Sequence, residues 1–130
     1  MALDPKTWTV KTQEAFAAAI DQAKAKSNPE LTPDHLLVAI TSQEGTVVAP
    51  VLAKLGQSPG MVRDRALGQV ERLRQAHGGD EPRMGRELNQ VTERATQFRK
   101  DLKDDYLSVE HLLLAMADRL GVTTDEMLTV

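Results

Sequence analysis

Residues 31–40 read LTPDHLLVAI, and residues 107–116 read LSVEHLLLAM. Over this 76-residue shift five of ten positions are identical: Leu31/Leu107, His35/His111, Leu36/Leu112, Leu37/Leu113 and Ala39/Ala115. Thr32/Ser108 and Asp34/Glu110 keep a hydroxyl and an acid at matching places. A hydroxyl side chain there caps a helix, and an acid in the first turn meets the positive end of its dipole. Pro33 suits the first helical position. A second echo pairs Leu55-Gly56-Gln57-Ser58 with Leu120-Gly121-Val122-Thr123 at a shift of 65, so the second unit is shorter by 11 residues, about one short helix. The repetition predicts an all-α domain of two pseudo-symmetric helical units.

Apolar spacing fills in the rest. Ala15, Phe16, Ala19, Ile20 and Ala23 form one helical stripe, opened by a cap at Thr9 and closed at Asn28-Pro29. Val47, Val48, Val51, Leu52 and Leu55 form a short stripe ended by Gly56. Ser58-Pro59 opens a fourth helix with Met61, Val62, Leu67, Val70 and Leu73 inward. His77 to Gly85, with three glycines and a proline, reads as a loop joining the units. Leu88, Val91, Ala95, Phe98 and Leu102 then mark a helix from about Arg86 to Lys103. Ser108 caps the sixth helix, and Thr123 or Thr124 a short last one that runs toward the chain end. About seven helices result, in one domain over 1–130: unit one about 9–76, linker 77–85, unit two about 86–128. No alternating strand pattern or Asn-Gly hairpin signal is present.

Composition excludes several function classes. The chain has 130 residues, 41% hydrophobic and 27% charged, within the range of a folded single domain. Aromatics are only 3%, so the core is expected to be aliphatic and alanine-rich. A net charge of −3 argues against a nucleic-acid partner. No 18-residue apolar run suits a membrane span, and Met1 to Lys11 lacks the apolar core of a signal peptide. With no cysteine, disulfides, thiolate metal sites and cysteine nucleophiles are excluded.

Catalytic motifs are missing as well. No G-x-x-x-x-G-K-[ST] loop is present to cradle a nucleotide, and no H-E-x-x-H or glycine-flanked serine accompanies the histidines. Asp34-His35 and Glu110-His111 are helical neighbours whose side chains diverge by about 100°. They read as helix starts, with the histidine at the third helical position, rather than as metal or catalytic pairs. His77 lies in the glycine loop and is expected to be solvent-exposed. No enzyme activity, metal or cofactor is expected of this chain.

Paired units carrying [ST]-x-[DE]-H-L-L resemble the Clp N-terminal domain repeat, which heads bacterial AAA+ unfoldases. Several further features look like the ClpB-type disaggregase branch: PELTPDHLLVAI (29–40), Gln43-Glu44-Gly45, PVLAKLG (50–56), VERL (70–73) and DDYLSVEHLLLA (104–115). The resemblance spans roughly residues 7–128. ClpC-type domains usually carry NYIGTEH-like runs, and this chain has neither. The family's second repeat commonly has a further helix, which is missing here between Arg119 and Gly121. The resemblance implies the N-terminal substrate-binding domain of a longer cytoplasmic chaperone of the stress response and protein refolding. ATP and Mg2+ would belong to modules outside this chain. The isolated domain is expected to be monomeric and the parent a homohexamer.

In that family a polar trio matters for chaperone activity, and by alignment it falls on Thr9, Asp104 and Glu110. The groove between repeats would further involve Trp8, Val91, Ala95, Phe98 and His111. Ordinary roles stand beside these: Thr9 as a cap, Glu110 as a dipole partner, Trp8 as a hydrophobic staple and Phe98 as core. The implied ligand is an extended stretch of unfolded or aggregated polypeptide, bound at roughly micromolar affinity or weaker because it must be ordered on binding. Adaptor docking, as in ClpA- or ClpC-type unfoldases that feed a protease, is the alternative. A helical metal binder and a passive structural cap on a hexamer are two further ones.

Overall fold

Each unit begins with a long amphipathic helix and follows it with a short, nearly all-apolar one that the first cannot cover alone. The computed structural model describes residues 5–77 and 81–130. After a 3-10 turn at Pro5–Thr7 come α1 (Val10–Ala25), β1 (Glu30–Leu31), α2 (Pro33–Ser42), α3 (Val48–Lys54) and α4 (Pro59–Glu71). The second unit has β2 (Arg83–Met84), α5 (Arg86–Asp101), α6 (Val109–Ala115), a 3-10 helix at Ala117–Leu120 and α7 (Thr124–Leu128). α1 packs on α2 and α5 on α6, while α4 lies along α2. Leu36, Ile40, Leu52, Leu88, Leu112 and Met116 are completely enclosed. The core is aliphatic, as the scarcity of aromatics predicted.

The repeat reaches further than the two decapeptides. α1 and α5 are both 16 residues long and start 76 residues apart. Both end the same way: Ser27 and Lys103 take left-handed φ values of 55° and 59°. The next amides, Asn28 and Asp104, donate back to the carbonyls of Ala23 and Arg99 at 2.8 and 3.0 Å. Non-glycine residues at such φ values carry a conformational cost, so the matching pair marks a shape that both units hold in common. Gly56 and Gly121 end the echoed turns with φ of 75° and 73°. Between the echoes, the first unit has α3, and the second has only the 3-10 helix Ala117–Leu120. The deficit read from the sequence is this substitution.

The units are tied by two short parallel pairings that cross between them. β1 pairs with β2, Glu30 opposite Arg83 and Leu31 opposite Met84. Trp8 forms a parallel bridge with Leu107. Trp8 and Met84, like Leu31 and Leu107, are 76 residues apart, so the two pairings are one arrangement seen twice. In each, the entry to one unit's first helix hydrogen-bonds the entry to the other unit's second helix.

Several expectations are corrected. Arg83–Met84 of the expected linker is a strand, because the amides of Arg83 and Gly85 find the carbonyls of Pro29 and Leu31, both at 3.0 Å. Two residues are too few to show alternation in sequence. Residues 78–80 of that linker lie outside the described residues. Helix α1 stops at Ala25, before Asn28-Pro29, because the left-handed turn at Ser27 intervenes. Met61 and Leu102, expected inward, are exposed, at 66% and 50%. Met61 faces away from α2, on which Val62, Ala66 and Val70 are buried, and Leu102 is the C-cap beyond α5. Leu67 and Leu73 are only half-buried. α7 ends at Leu128 instead of running to the chain end, and Thr129 is its C-cap.

Arg119, in the 3-10 helix of the second unit, reaches back to Asp34 of α2 at 3.1 Å and to Glu87 of α5 at 2.5 Å. Burial pushes the Asp34 carboxyl above its ordinary value, and the Arg119 charge opposes that shift. Replacing Arg119 by alanine leaves Asp34 desolvated without its cation and is expected to cost roughly 1–2 kcal/mol at pH 7. In a double-mutant cycle, Asp34→Asn in the same chain should recover part of that loss. Additive losses in urea denaturation would disprove the coupling.

Candidate functional site

Thr9 ends its strand-like entry segment in the extended region and caps α1, its hydroxyl accepting from the Thr12 amide at 3.2 Å. Its own amide donates to the carbonyl of Leu107 at 3.0 Å. The buried Thr12 hydroxyl donates to the same carbonyl at 2.9 Å. Leu107 in turn donates its amide to Thr7 at 2.7 Å. The start of α1 is thus fastened to the residue just before the Ser108 cap. Trp8, half-buried, stacks on Phe16 with ring centroids 4.6 Å apart. It packs on a residue two turns into α1, not on the N4 position of the hydrophobic staple weighed for it from sequence, which is Gln13, whose side-chain amide donates to the Trp8 carbonyl at 3.2 Å.

The two histidines explain how the α2 and α6 starts are held. In each helix the histidine takes the place that Glu or Gln has in a capping box. Nδ1 of His35 accepts the Thr32 amide at 3.0 Å, and Nδ1 of His111 accepts the Ser108 amide at 2.9 Å. An accepting Nδ1 has no proton, so each ring carries its proton on Nε2 and donates from there. His35 Nε2 donates to Asn28 Oδ1 at 2.9 Å and His111 Nε2 to Asp104 Oδ2 at 2.7 Å. Both rings are buried, at 0% and 2% exposure. Burial lowers the His35 pKa below 6.5. These are the helix-start roles read from sequence, with both ring nitrogens of each histidine engaged.

Asn28 and Asp104 are 76 residues apart and do the same job at the ends of α1 and α5. Sequence reading did not connect them. The shift of 76 carried backward from His35 and His111 would have found them. Asn28 is buried and also donates Nδ2 to the Arg74 carbonyl at 3.1 Å. The Asp104 side chain is 52% exposed. With Asp105, Tyr106, Ser108, Glu110 and His111 it lines an open hollow of about 530 Å3. Tyr106, which sequence reading passed over, is 57% exposed beside three carboxylates.

The residues singled out from sequence therefore separate by location. Asp104, Glu110 and His111 share that hollow; Trp8 and Thr9 do not line it but pair with Leu107, which lies in sequence between its lining residues Tyr106 and Ser108. Val91 and Ala95 are interior residues of α5, at 2% and 0% exposure, facing the core. Phe98, half-buried against that core, lines a different hollow of about 360 Å3, with Arg94, Leu114 and Val122. The first unit has a counterpart of about 440 Å3, lined at the matching positions by Ala18, Gln22 and Val38. Among the described residues no three side chains converge as metal ligands, and no helix is long and apolar enough to cross a membrane.

Comparison with known proteins agrees with this anatomy. The chain is 38% identical over 110 residues to the chaperone protein ClpB of Mycobacterium leprae, covering 84% of this chain and 13% of that protein. It is 40% identical over 111 residues to ClpB of Corynebacterium diphtheriae, again covering 84% and 13%. The chain thus spans about an eighth of the length of these curated relatives. The Hsp104 N-terminal domain from Candida albicans superimposes with a TM-score of 0.79 at 20% identity, over 94% of this chain and 87% of that one. A ClpV N-domain solved in complex with a VipB peptide gives 0.76 at 19%, over 89% and 71%. The sequence profile of the Clp repeat (R) N-terminal domain matches residues 7–129. Two units crossed at their entries, each fastened by a buried capping histidine, are how this sequence builds that domain, and the chain belongs to the Clp repeat N-terminal domain family.

Proposed function

We propose that this chain is the N-terminal substrate-collecting domain of a ClpB-type ATP-dependent disaggregase. It engages unfolded or aggregated polypeptide at the surface where the start of α1 meets the start of α6. One observation carries the reading: Asp104, Tyr106 and Glu110 line one open hollow, and the Trp8–Leu107 bridge brings the start of α1 to the residue between Tyr106 and Ser108 of that lining. An exposed aromatic next to the carboxylates of Asp105 and Glu110 suits apolar segments that carry basic residues, and the open shape of the hollow suits extended chains of no fixed sequence. ATP and Mg2+ chemistry, and assembly into a cytoplasmic homohexamer, belong in this reading to the rest of the parent protein. The ClpV N-domain seen with a VipB peptide supports peptide capture as a use of this fold. Adaptor docking for a protease-linked unfoldase is the second reading.

Titrating isotope-labelled protein with casein, an unstructured substrate, tests the proposal through backbone amide shifts. Shifts are expected at Thr9, Asp104, Tyr106 and Glu110, saturating at roughly micromolar or higher ligand. No shifts at high casein would remove the direct-capture reading and put adaptor docking ahead.

A further inference from the structure

Resting on the surface proposed above, we infer that Asp104 serves it as a positioning residue, which acts through His111 and is needed as a hydrogen-bond acceptor and not as a charge. The repeat itself supplies the comparison. At the matching place of the first unit stands Asn28, neutral and nearly the same shape, and it takes the same hydrogen bond from His35 Nε2 at 2.9 Å. The backbone that presents the two side chains is the same: a left-handed residue at Ser27 or Lys103, then an amide donated back to Ala23 or Arg99. The histidine beyond is the same, with Nδ1 on the cap amide of Thr32 or Ser108. The Leu31 carbonyl before Thr32 takes the Gly85 amide, as the Leu107 carbonyl before Ser108 takes the Thr9 amide. What differs is that Leu107 also accepts from the Thr12 hydroxyl, where the matching residue of the other unit is Leu88. Asp104 is therefore the outer end of a chain of hydrogen bonds that runs through His111 and Ser108 to the residue fastening α1. Removing the acceptor frees the His111 ring, and a free ring no longer fixes the Ser108 amide. The contacts to Thr9 loosen next. Asn at 104 keeps every link of that chain.

Three proteins test this: wild type, Asp104→Asn and Asp104→Ala. The side chain is half exposed, so neither change opens a cavity. Imidazole nitrogen spectra read the His111 tautomer directly. Native-state hydrogen exchange reads the Ser108 and Thr9 amides. Casein titration reads binding. Asp104→Asn is expected to keep the Nε2–H tautomer, exchange within about twofold of wild type, and retain casein affinity within about twofold. Asp104→Ala is expected to mix the tautomers and speed Ser108 exchange by about tenfold, with casein binding weakened to match. If Asp104→Asn keeps the tautomer and the slow exchange but binds casein as poorly as Asp104→Ala, the carboxylate charge meets the ligand and the inference falls. If Asp104→Ala leaves tautomer and exchange untouched, it falls as well. Should wild type not bind casein at all, the capture reading fails by itself, and the tautomer and exchange data still decide the role of Asp104.

Discussion

Replacing His35 by alanine is expected to lower the unfolding free energy by about 3–5 kcal/mol, a large share of the roughly 5–15 kcal/mol that holds a domain of this kind together. The ring is completely enclosed, so its loss leaves a cavity. It also strands the Thr32 amide and the Asn28 side-chain oxygen, which the ring joins at 3.0 and 2.9 Å. Each buried polar group left without a partner adds a desolvation penalty. His35→Gln is expected to cost less than half as much, since glutamine at this helical position can still reach the cap amide. The pH dependence follows from the lowered pKa of His35. In the unfolded chain this histidine protonates near 6.5, and in the folded chain it does so only at lower pH. Its contribution is therefore fully present above about 6.5 and is lost as the pH falls toward the folded value. Urea denaturation at pH 7.5 and pH 5.5 should show a fall in stability for wild type that is smaller in His35→Gln. A loss below 1 kcal/mol for His35→Ala would show that the ring is not what holds α2 to the end of α1.

Gly85→Ala is expected to cost about 2–3 kcal/mol, although alanine is at ease with the local backbone, at φ −72° and ψ 158°. The obstacle is the partner strand. A methyl group at Gly85 would stand 2.8 Å from the Leu31 carbonyl oxygen and 3.2 Å from a Glu30 carboxylate oxygen. Backbone cannot swing aside as a side-chain tip can, so β1 and β2 must part and the 3.0 Å bond from Gly85 to Leu31 must stretch. Gly68→Ala is the matched control. It lies within α4, where an added methyl meets nothing within 4 Å. There the same change should stabilise by about 0.5–1 kcal/mol through helix propensity. Opposite signs in one denaturant series would assign the Gly85 effect to the strand contact. A stabilised Gly85→Ala would mean that the pairing of the two units yields freely.

How much of this was legible in the sequence depended on the reach of each interaction. The decapeptides around His35 and His111 were legible because a cap, an acid and an apolar face are local. They are confirmed as α2 and α6, with Thr32 and Ser108 at their caps. Thr9, Ser58 and Thr123 were legible for the same reason. The strand pairings were not. Glu30–Leu31 and Arg83–Met84 have no alternation to show, and their partners lie in the other unit. The roles of Asn28 and Asp104 were hidden because each acts on a ring seven residues ahead, across a turn. Arg119, taken only as a flank of the shortened segment, joins Asp34 and Glu87 from distant parts of the chain. Family resemblance brought Thr9, Asp104 and Glu110 forward as a trio. Sequence alone could not tell that Val91 and Ala95 turn inward, since a helical stripe looks the same whether it meets a core or a ligand.

The crossed entries bear on how the protein is made. Thr12 must wait for a carbonyl 95 positions further along the chain. At the ~5–20 residues per second of protein synthesis, that delay is on the order of 5–20 seconds after α1 leaves the ribosome. During it the α1 entry segment has no strand partner and Trp8 has only its own helix to lean on. Until Leu107 has emerged, the start of α1 therefore lacks the carbonyl that receives the Thr9 amide and the Thr12 hydroxyl in the folded domain.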